Sequence, residues 1–174
     1  MKHLRRAMLF IATRLVIIVL CVSLLICAFY MAYSMGNAYI LVTEGLEKRA
    51  EVCIYREGYT DLNKYFTVSF LNSDPVLAVS VSEQSPYLPY TITGFEYELK
   101  VESLKAWPWN DVISCGITEY VTDITGTVKA AYSSNSGTTP PKWESGRYTV
   151  YLTKQTDGSW KISGLTQDSS YKGS

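Results

Sequence analysis

The chain carries one histidine, His3, and it precedes a long apolar run. Serine and cysteine nucleophiles need a base that works near neutral pH, most often imidazole, so everything after that run lacks the usual partner for acyl transfer. Zinc sites built from histidine and cysteine are equally hard to assemble, because only Cys53 and Cys115 lie beyond the run. No glycine-rich phosphate loop is present. The expectation is no metal, no cofactor and no catalytic residue. Carboxylates are the remaining chemistry. Glu96, Glu98 and Glu102 alternate with Phe95, Tyr97, Leu99 and Val101, as on the wet face of a strand. Asp111 and Glu119 are left over. Glu119 shares parity with Ile117 and Val121, which would aim it inward. Buried unpaired acids are rare, so the expectation for it is a strand-end carboxylate that reaches water or a lysine.

Aromatic residues offer binding rather than catalysis. Trp107-Pro108-Trp109 falls between two strands, and Trp143 precedes the closing hairpin. With Tyr87, Tyr90 and Tyr120 they could line an apolar mouth for a small molecule or form a patch for a protein partner. The leading expectation is plainer: Trp107 and Trp109 plug the open end of a small curved sheet. The candidate binding set is Trp107, Trp109, Tyr120 and Trp143. A Cys53–Cys115 disulfide would suit an oxidising exterior but needs Cα atoms about 4.4–6.8 Å apart. Two buried free thiols are the expectation. Cys21 and Cys27 lie inside the apolar run and read as packing residues.

These side chains depend on elements that the pattern defines. Leu15 to Tyr33 holds no charge, and none follows until Glu44. About 20 apolar residues in a helix cross the hydrocarbon layer. Lys2, Arg5, Arg6 and Arg14 precede the run and no acid does, which predicts that end inside. Phe29, Tyr30, Tyr33 and Tyr39 crowd the other end, as aromatic residues do at headgroup level. A cleaved signal peptide ending near Gly36-Asn37-Ala38 would have a shorter core. Lipoprotein processing at Cys27 is disfavoured by bulky Ile26. The predicted partition is a cytoplasmic start over 1–14, a membrane helix over 15–40, an extracytoplasmic domain over 41–165 and a flexible tail over 166–174. Ala28, Ala32 and Gly36 recur on one helix face, a spacing that admits a second copy of the anchor.

Thr43 to Glu57 reads as a helix continuous with the span. Leu46, Ala50, Cys53 and Ile54 share its buried face, while Glu47, Lys48, Arg49 and Glu51 lie around the other side. A second helix starts at the N-cap Thr60, buries Leu62, Tyr65, Phe66 and Phe70, and stops between Asn72 and Pro75. Val76 to Val81 reads as a short strand. Long strands follow over 90–104 and 112–124, and a third over 127–132 after a turn at Thr125-Gly126. Ser133 to Pro141 is a loop. Residues 147–154 and 159–165 form a hairpin across Thr156-Asp157-Gly158. Helices followed by a mostly antiparallel sheet predict α+β. From Glu44 onward 12 Lys/Arg face 16 Asp/Glu, which argues against nucleic acid as a partner.

Three passages carry a resemblance: the amphipathic stretch Asp61-Leu62-Asn63-Lys64-Tyr65-Phe66, the long strands from Tyr90, and the ending Tyr148-Thr149-Val150-Tyr151-Leu152 then Asp157-Gly158-Ser159-Trp160-Lys161-Ile162. Together they resemble the NTF2-like superfamily over about residues 44–165. The resemblance implies a cone of two or three helices packed on a curved, mostly antiparallel sheet. It says little of function, because that fold hosts isomerases, transport factors and scaffolds. One span plus one such ectodomain is also the layout of VirB8-like and TcpC-like proteins of conjugation and secretion machines. The functional expectation is a non-catalytic ectodomain that binds proteins in a cell-envelope assembly, with homo-oligomerisation through the anchor open. The alternative is a SnoaL-like or ketosteroid-isomerase-like enzyme, or a small-ligand binder, that uses the cone interior. A cone filled by Tyr97, Leu99, Ile117 and Trp160 would favour the former; an open one with Glu119 or Asp111 pointing in would favour the latter.

Overall fold

A computed structural model describes residues 2–107, 109–133 and 137–168. The order of elements is α1 (Lys2–Tyr55), a 3-10 turn (Tyr59–Lys64), α2 (Val68–Ser73), α3 (Pro75–Val81), β1 (Tyr90–Lys105), β2 (Val112–Val128), a short 3-10 turn (Ala130–Tyr132), β3 (Gly146–Lys154) and β4 (Trp160–Gln167). The fold is α+β. The four strands form one antiparallel sheet in the order β1-β2-β3-β4.

The apolar run and the helix after it are one element of 54 residues, about 80 Å long at 1.5 Å per residue. Its first part is long and apolar enough to cross a membrane. From Leu15 to Tyr33 every residue is exposed except half-buried Met31, so no other described part of the chain covers it. From Ala38 on the same helix becomes the spine of the core. Ala38, Val42, Leu46 and Cys53 are buried in one cluster with Ile113, Cys115, Ile117, Val150, Leu152 and Ile162 of the sheet, and Ala50 and Ile54 in a second with Tyr87 and Val121. The docking is close at Gly45, where an added Cβ would lie 2.9 Å from Ile162 Cδ1 and 3.1 Å from Tyr65 Cβ.

Four local expectations are corrected. The helix expected from Thr60 is split: Tyr65 and Thr67 leave the helical path to exchange backbone hydrogen bonds with Ile162, and Phe66 forms a parallel bridge to it. Leu62, Phe66 and Phe70 are buried as expected, with the Phe66 and Phe70 rings stacked at 5.1 Å. Val76–Val81 is a helix and not a strand. Asp74 caps it by accepting from Val76 N at 3.0 Å, Pro75 takes the first turn, and Leu77 and Ser80 face inward at helical spacing. A strong N-terminal signal outweighs the β preference of three valines.

The turn expected at Thr125-Gly126 is also absent, and β2 runs unbroken to Val128. Gly126 serves a close approach instead: a Cβ there would sit 2.7 Å from Thr91 O. The strand over 127–132 is therefore the end of β2 followed by a 3-10 turn. Register shifts opposite Gly94 and between Val101 and Ser103 bend the β1–β2 pair, with Asp123 taking a left-handed φ of 51° beside the first. Thr166 and Gln167, expected in the tail, belong to β4; residues 169–174 lie outside the described residues.

Substituting Gly45 with alanine tests the docking. Alanine favours a helix by about 1 kcal/mol over glycine, yet overpacking costs typically 1–3 kcal/mol. The expected outcome is a lower Tm for Gly45→Ala in detergent-solubilised full-length protein. A higher Tm would mean that α1 is not held against Ile162 and Tyr65.

Candidate functional site

Arg49 was expected in water and is 4% exposed. It lies one turn from Leu46 and Cys53, so the buried face of α1 includes it. Its guanidinium meets the Asp74 carboxylate through two bonds, Nε to Oδ2 at 2.6 Å and Nη2 to Oδ1 at 3.1 Å. Burial works against the Arg49 charge, but hydrogen bonding and attraction to Asp74 more than offset it, so its pKa is raised. The same carboxylate caps α3, so one side chain fixes a helix start and neutralises a buried cation. Farther along, Arg56 donates to the Ser80 and Ser82 carbonyls at 2.9 and 3.1 Å, which closes the other end of α3 onto α1.

Above the Arg49–Asp74 pair opens a groove of about 850 Å³. One wall is α2–α3 with Phe70, Ser73, Val76 and Val79; the loop residues Lys142, Trp143 and Glu144 form a lip. The opposite wall is Ser163 to Gln167 of β4, five residues in succession. A groove over one face of a strand would collect alternate residues, so both parities mark the strand edge as the wall. Among the described residues nothing pairs with that edge beyond Ile162, whose own backbone is taken by Tyr65 and Thr67.

Glu119 is 2% exposed and points inward, against the expectation of a solvent-reaching carboxylate. It accepts from Tyr97 Oη at 3.1 Å and from Trp143 Nε1 at 3.2 Å. Burial pushes its pKa up, while the Arg49 charge and the two donors pull against that shift without cancelling it. Burial, then the Glu119 charge, raises Tyr97 as well. Glu119 does not line the groove. Trp143, which does, donates to it, so the acid is sealed from the groove and bound on both oxygens. Asp111 is exposed at the far end of the sheet.

The four aromatic candidates do not form one surface. Trp143 belongs to the groove, with Tyr87. Tyr120 is partly exposed on β2, beside Tyr97 and Glu98. Trp107 and Trp109 stack on each other at 5.5 Å and are 53% and 74% exposed, so they plug nothing. Cys53 and Cys115 are buried and free, each thiol pushed up to about 11 by burial. Among the described residues no cluster of His, Cys, Asp and Glu could hold a metal. Sequence reading missed Arg49 and Asp74. The available signals were Arg49 at i+3 from Leu46 and Asp-Pro at a helix start.

No family model matches the chain, and no curated protein does. A crystal structure of the Kfla4162 protein from Kribbella flavida is similar at a TM-score of 0.48, with 13% identity over 79% of this chain and 93% of that one. That likeness carries no argument about this chain.

Asp74→Ala should lower stability by about 3–5 kcal/mol, because it leaves a buried cation uncompensated and uncaps α3. Arg49→Met should cost less, since the cap survives and an apolar stem fills the space. Equal losses in denaturant melts would contradict this assignment. Glu119 gives a pH signature. A carboxyl raised by folding contributes stability that is complete below its unfolded pKa and is lost as pH rises through the folded one. Tm of the native chain should therefore fall as pH climbs above the ordinary value of 4.5. Glu119→Gln should flatten that fall and keep the fold. The amide oxygen can accept from the indole while its nitrogen donates to the Tyr97 hydroxyl, which can reverse its role. Glu119→Ala should cost about 1–3 kcal/mol at every pH by orphaning the indole N–H.

Proposed function

We propose that this chain is a non-catalytic, membrane-anchored interaction domain. Residues 15–40 span the membrane with the N-terminus cytoplasmic. The domain over 41–165 stands outside, in a cell-envelope assembly, and receives an extended segment of a partner protein. The carrying observation is the groove bounded by the β4 edge, with which no described residue pairs beyond Ile162. A strand edge offers a row of free N–H and C=O groups, and an added strand takes its affinity from them and its specificity from alternate side-chain pockets. The chain already uses this edge once, at Ile162, where Phe66 pairs with it.

The anchor reading rests on the bare apolar run and on the basic residues ahead of it. The interior charges support a binding role over catalysis, since Arg49, Asp74 and Glu119 are committed to structural partners. The NTF2-like cone and a VirB8/TcpC-like role in conjugation or secretion are the specific forms this proposal takes. The groove volume favours a second reading, because about 300–1,000 Å³ is the usual size of a small-molecule site. A ligand-binding domain would use Tyr87 and Trp143 there. An isomerase-like enzyme would need Glu119 within reach of its substrate, and Glu119 is sealed away.

Photo-crosslinking amino acids at Val79 and Thr166, on the two walls, should trap one defined extended segment of a partner in native membranes. The same probe at Lys100, exposed on β1, should trap none. Equal trapping at Lys100 would remove the groove as the docking site, and a small molecule in native mass spectra would move the assignment to ligand binding. Protease added to intact cells should remove the C-terminal domain; protection until permeabilisation would reverse the orientation.

A further inference from the structure

The exposed tryptophan pair has no role in the groove, and its place in the fold indicates one elsewhere. Tyr55, at the end of α1, packs its ring 5.5 Å from Phe95, early in β1. Ten residues earlier, Gly45 lies against Ile162. Ile162 pairs with Leu152, and Leu152 with Ile113. The next residue, Ser114, pairs with Lys105, so this row of the sheet ends beside Ala106. Followed backwards, α1 therefore runs from the start of β1 towards the loop between β1 and β2.

The next two turns continue that way. Ala38 and Val42 are buried in the cluster that holds Ala106, and half-buried Met35 packs on it. The loop with Trp107 and Trp109 is thus level with the stretch of helix around Met35 to Val42. The apolar stretch singled out from sequence, Leu15 to Tyr33, ends five residues before Ala38, although no charge follows until Glu44. Five residues of helix, from Tyr33 to Ala38, rise only about 7.5 Å. The headgroup region on each side of a bilayer is about 5–7 Å thick.

We infer that Trp107 and Trp109 form a second membrane contact, a stacked pair seated in the outer headgroup layer beside the anchor. The inference rests on the anchor reading above. Tyr33 and Tyr39 are exposed around the helix near this level, with Phe29 and Tyr30 one to two turns deeper, and the pair extends that aromatic belt sideways onto the domain. Tryptophan suits this layer because its broad apolar ring and single N–H match a half-wet environment. The charges nearby nearly cancel: Lys105, Lys154 and Lys161 stand with Asp111 and Asp157 at the same end of the sheet. The contact is therefore aromatic and does not depend on anionic lipid. Its effect is to fix the tilt of helix and domain together against the membrane, so that the groove keeps a constant attitude to it.

The test uses the full chain carrying 5-fluorotryptophan, in phosphatidylcholine nanodiscs with a lipid spin-labelled near the headgroup. Trp107→Phe and Trp109→Phe assign the two fluorine resonances. Trp143 is the reference, since Glu119, its partner, lies about 20 Å from Ile113 along β2. The expected result is severalfold stronger broadening for Trp107 and Trp109 than for Trp143, unchanged when anionic lipid is added. If the chain co-elutes with nanodiscs but the three broaden alike, the aromatic contact is wrong and the anchor stands. Broadening of the pair by a water-soluble relaxation agent alone would place it in water and overturn the membrane contact. A chain that elutes apart from nanodiscs removes the anchor, and this contact with it.

Discussion

The buried pair between Arg49 and Asp74 holds the rest in place. Two short helices of six and seven residues have little stability of their own, since helices below about 12–15 residues are marginal in water. They persist because Asp74 joins them, caps the second and is clamped by a guanidinium from the long helix. A fork of two hydrogen bonds fixes direction as well as distance, which a lysine at position 49 would not do. Buried ion pairs are weak sources of net stability, because desolvation consumes much of the attraction. Their value here is positional. The pair sets where α3 lies relative to β4, and hence that a groove exists between them.

The second constraint is economy in α1. One continuous helix is bare over its first part and core over its last. Whatever holds the bare part holds the domain by its own spine, with no flexible linker between. The Gly45 contact shows how tightly: an added Cβ at that point would crowd both Ile162 of the sheet and Tyr65. A tether joined in this way transmits orientation as well as attachment. Three further half-buried links, Tyr97 and Trp143 to Glu119 and Arg56 to the end of α3, add to the same unit.

The elements whose signal is periodic were legible in the sequence. The apolar run, the face of Leu46, Ala50, Cys53 and Ile54, the alternation along β1 and the Asp-Gly hairpin all appear where their spacing puts them. The elements set by long-range contact were not. The valines of α3 look like a strand until Asp74 has Arg49 to pair with. Gly126 looks like a turn until Thr91 is placed against it. Phe66 keeps a helical spacing from Leu62 and Phe70 while its backbone pairs with a strand almost a hundred residues on. For the site the lesson is sharper. A charged residue at an apolar position of a helix was taken as solvated, and an inward parity at Glu119 was discounted, because burial of either needs a partner that one-dimensional spacing does not reveal.

The two ends of the sheet have different chemistry, and the difference follows from where the polar groups are satisfied. At the Glu119 end, carboxylate, phenol and indole satisfy one another inside, so that end can be closed to water without cost from orphaned donors. At the Trp107 end no described polar side chain is buried, and the aromatic surface is left outward. A chain in free solution gains nothing from exposing two stacked indoles, whereas burying an aromatic side chain removes about 150–250 Å² from water. Such a patch persists most simply where a less aqueous phase lies beside it. In this fold the helix that supplies the bare apolar run passes that same end.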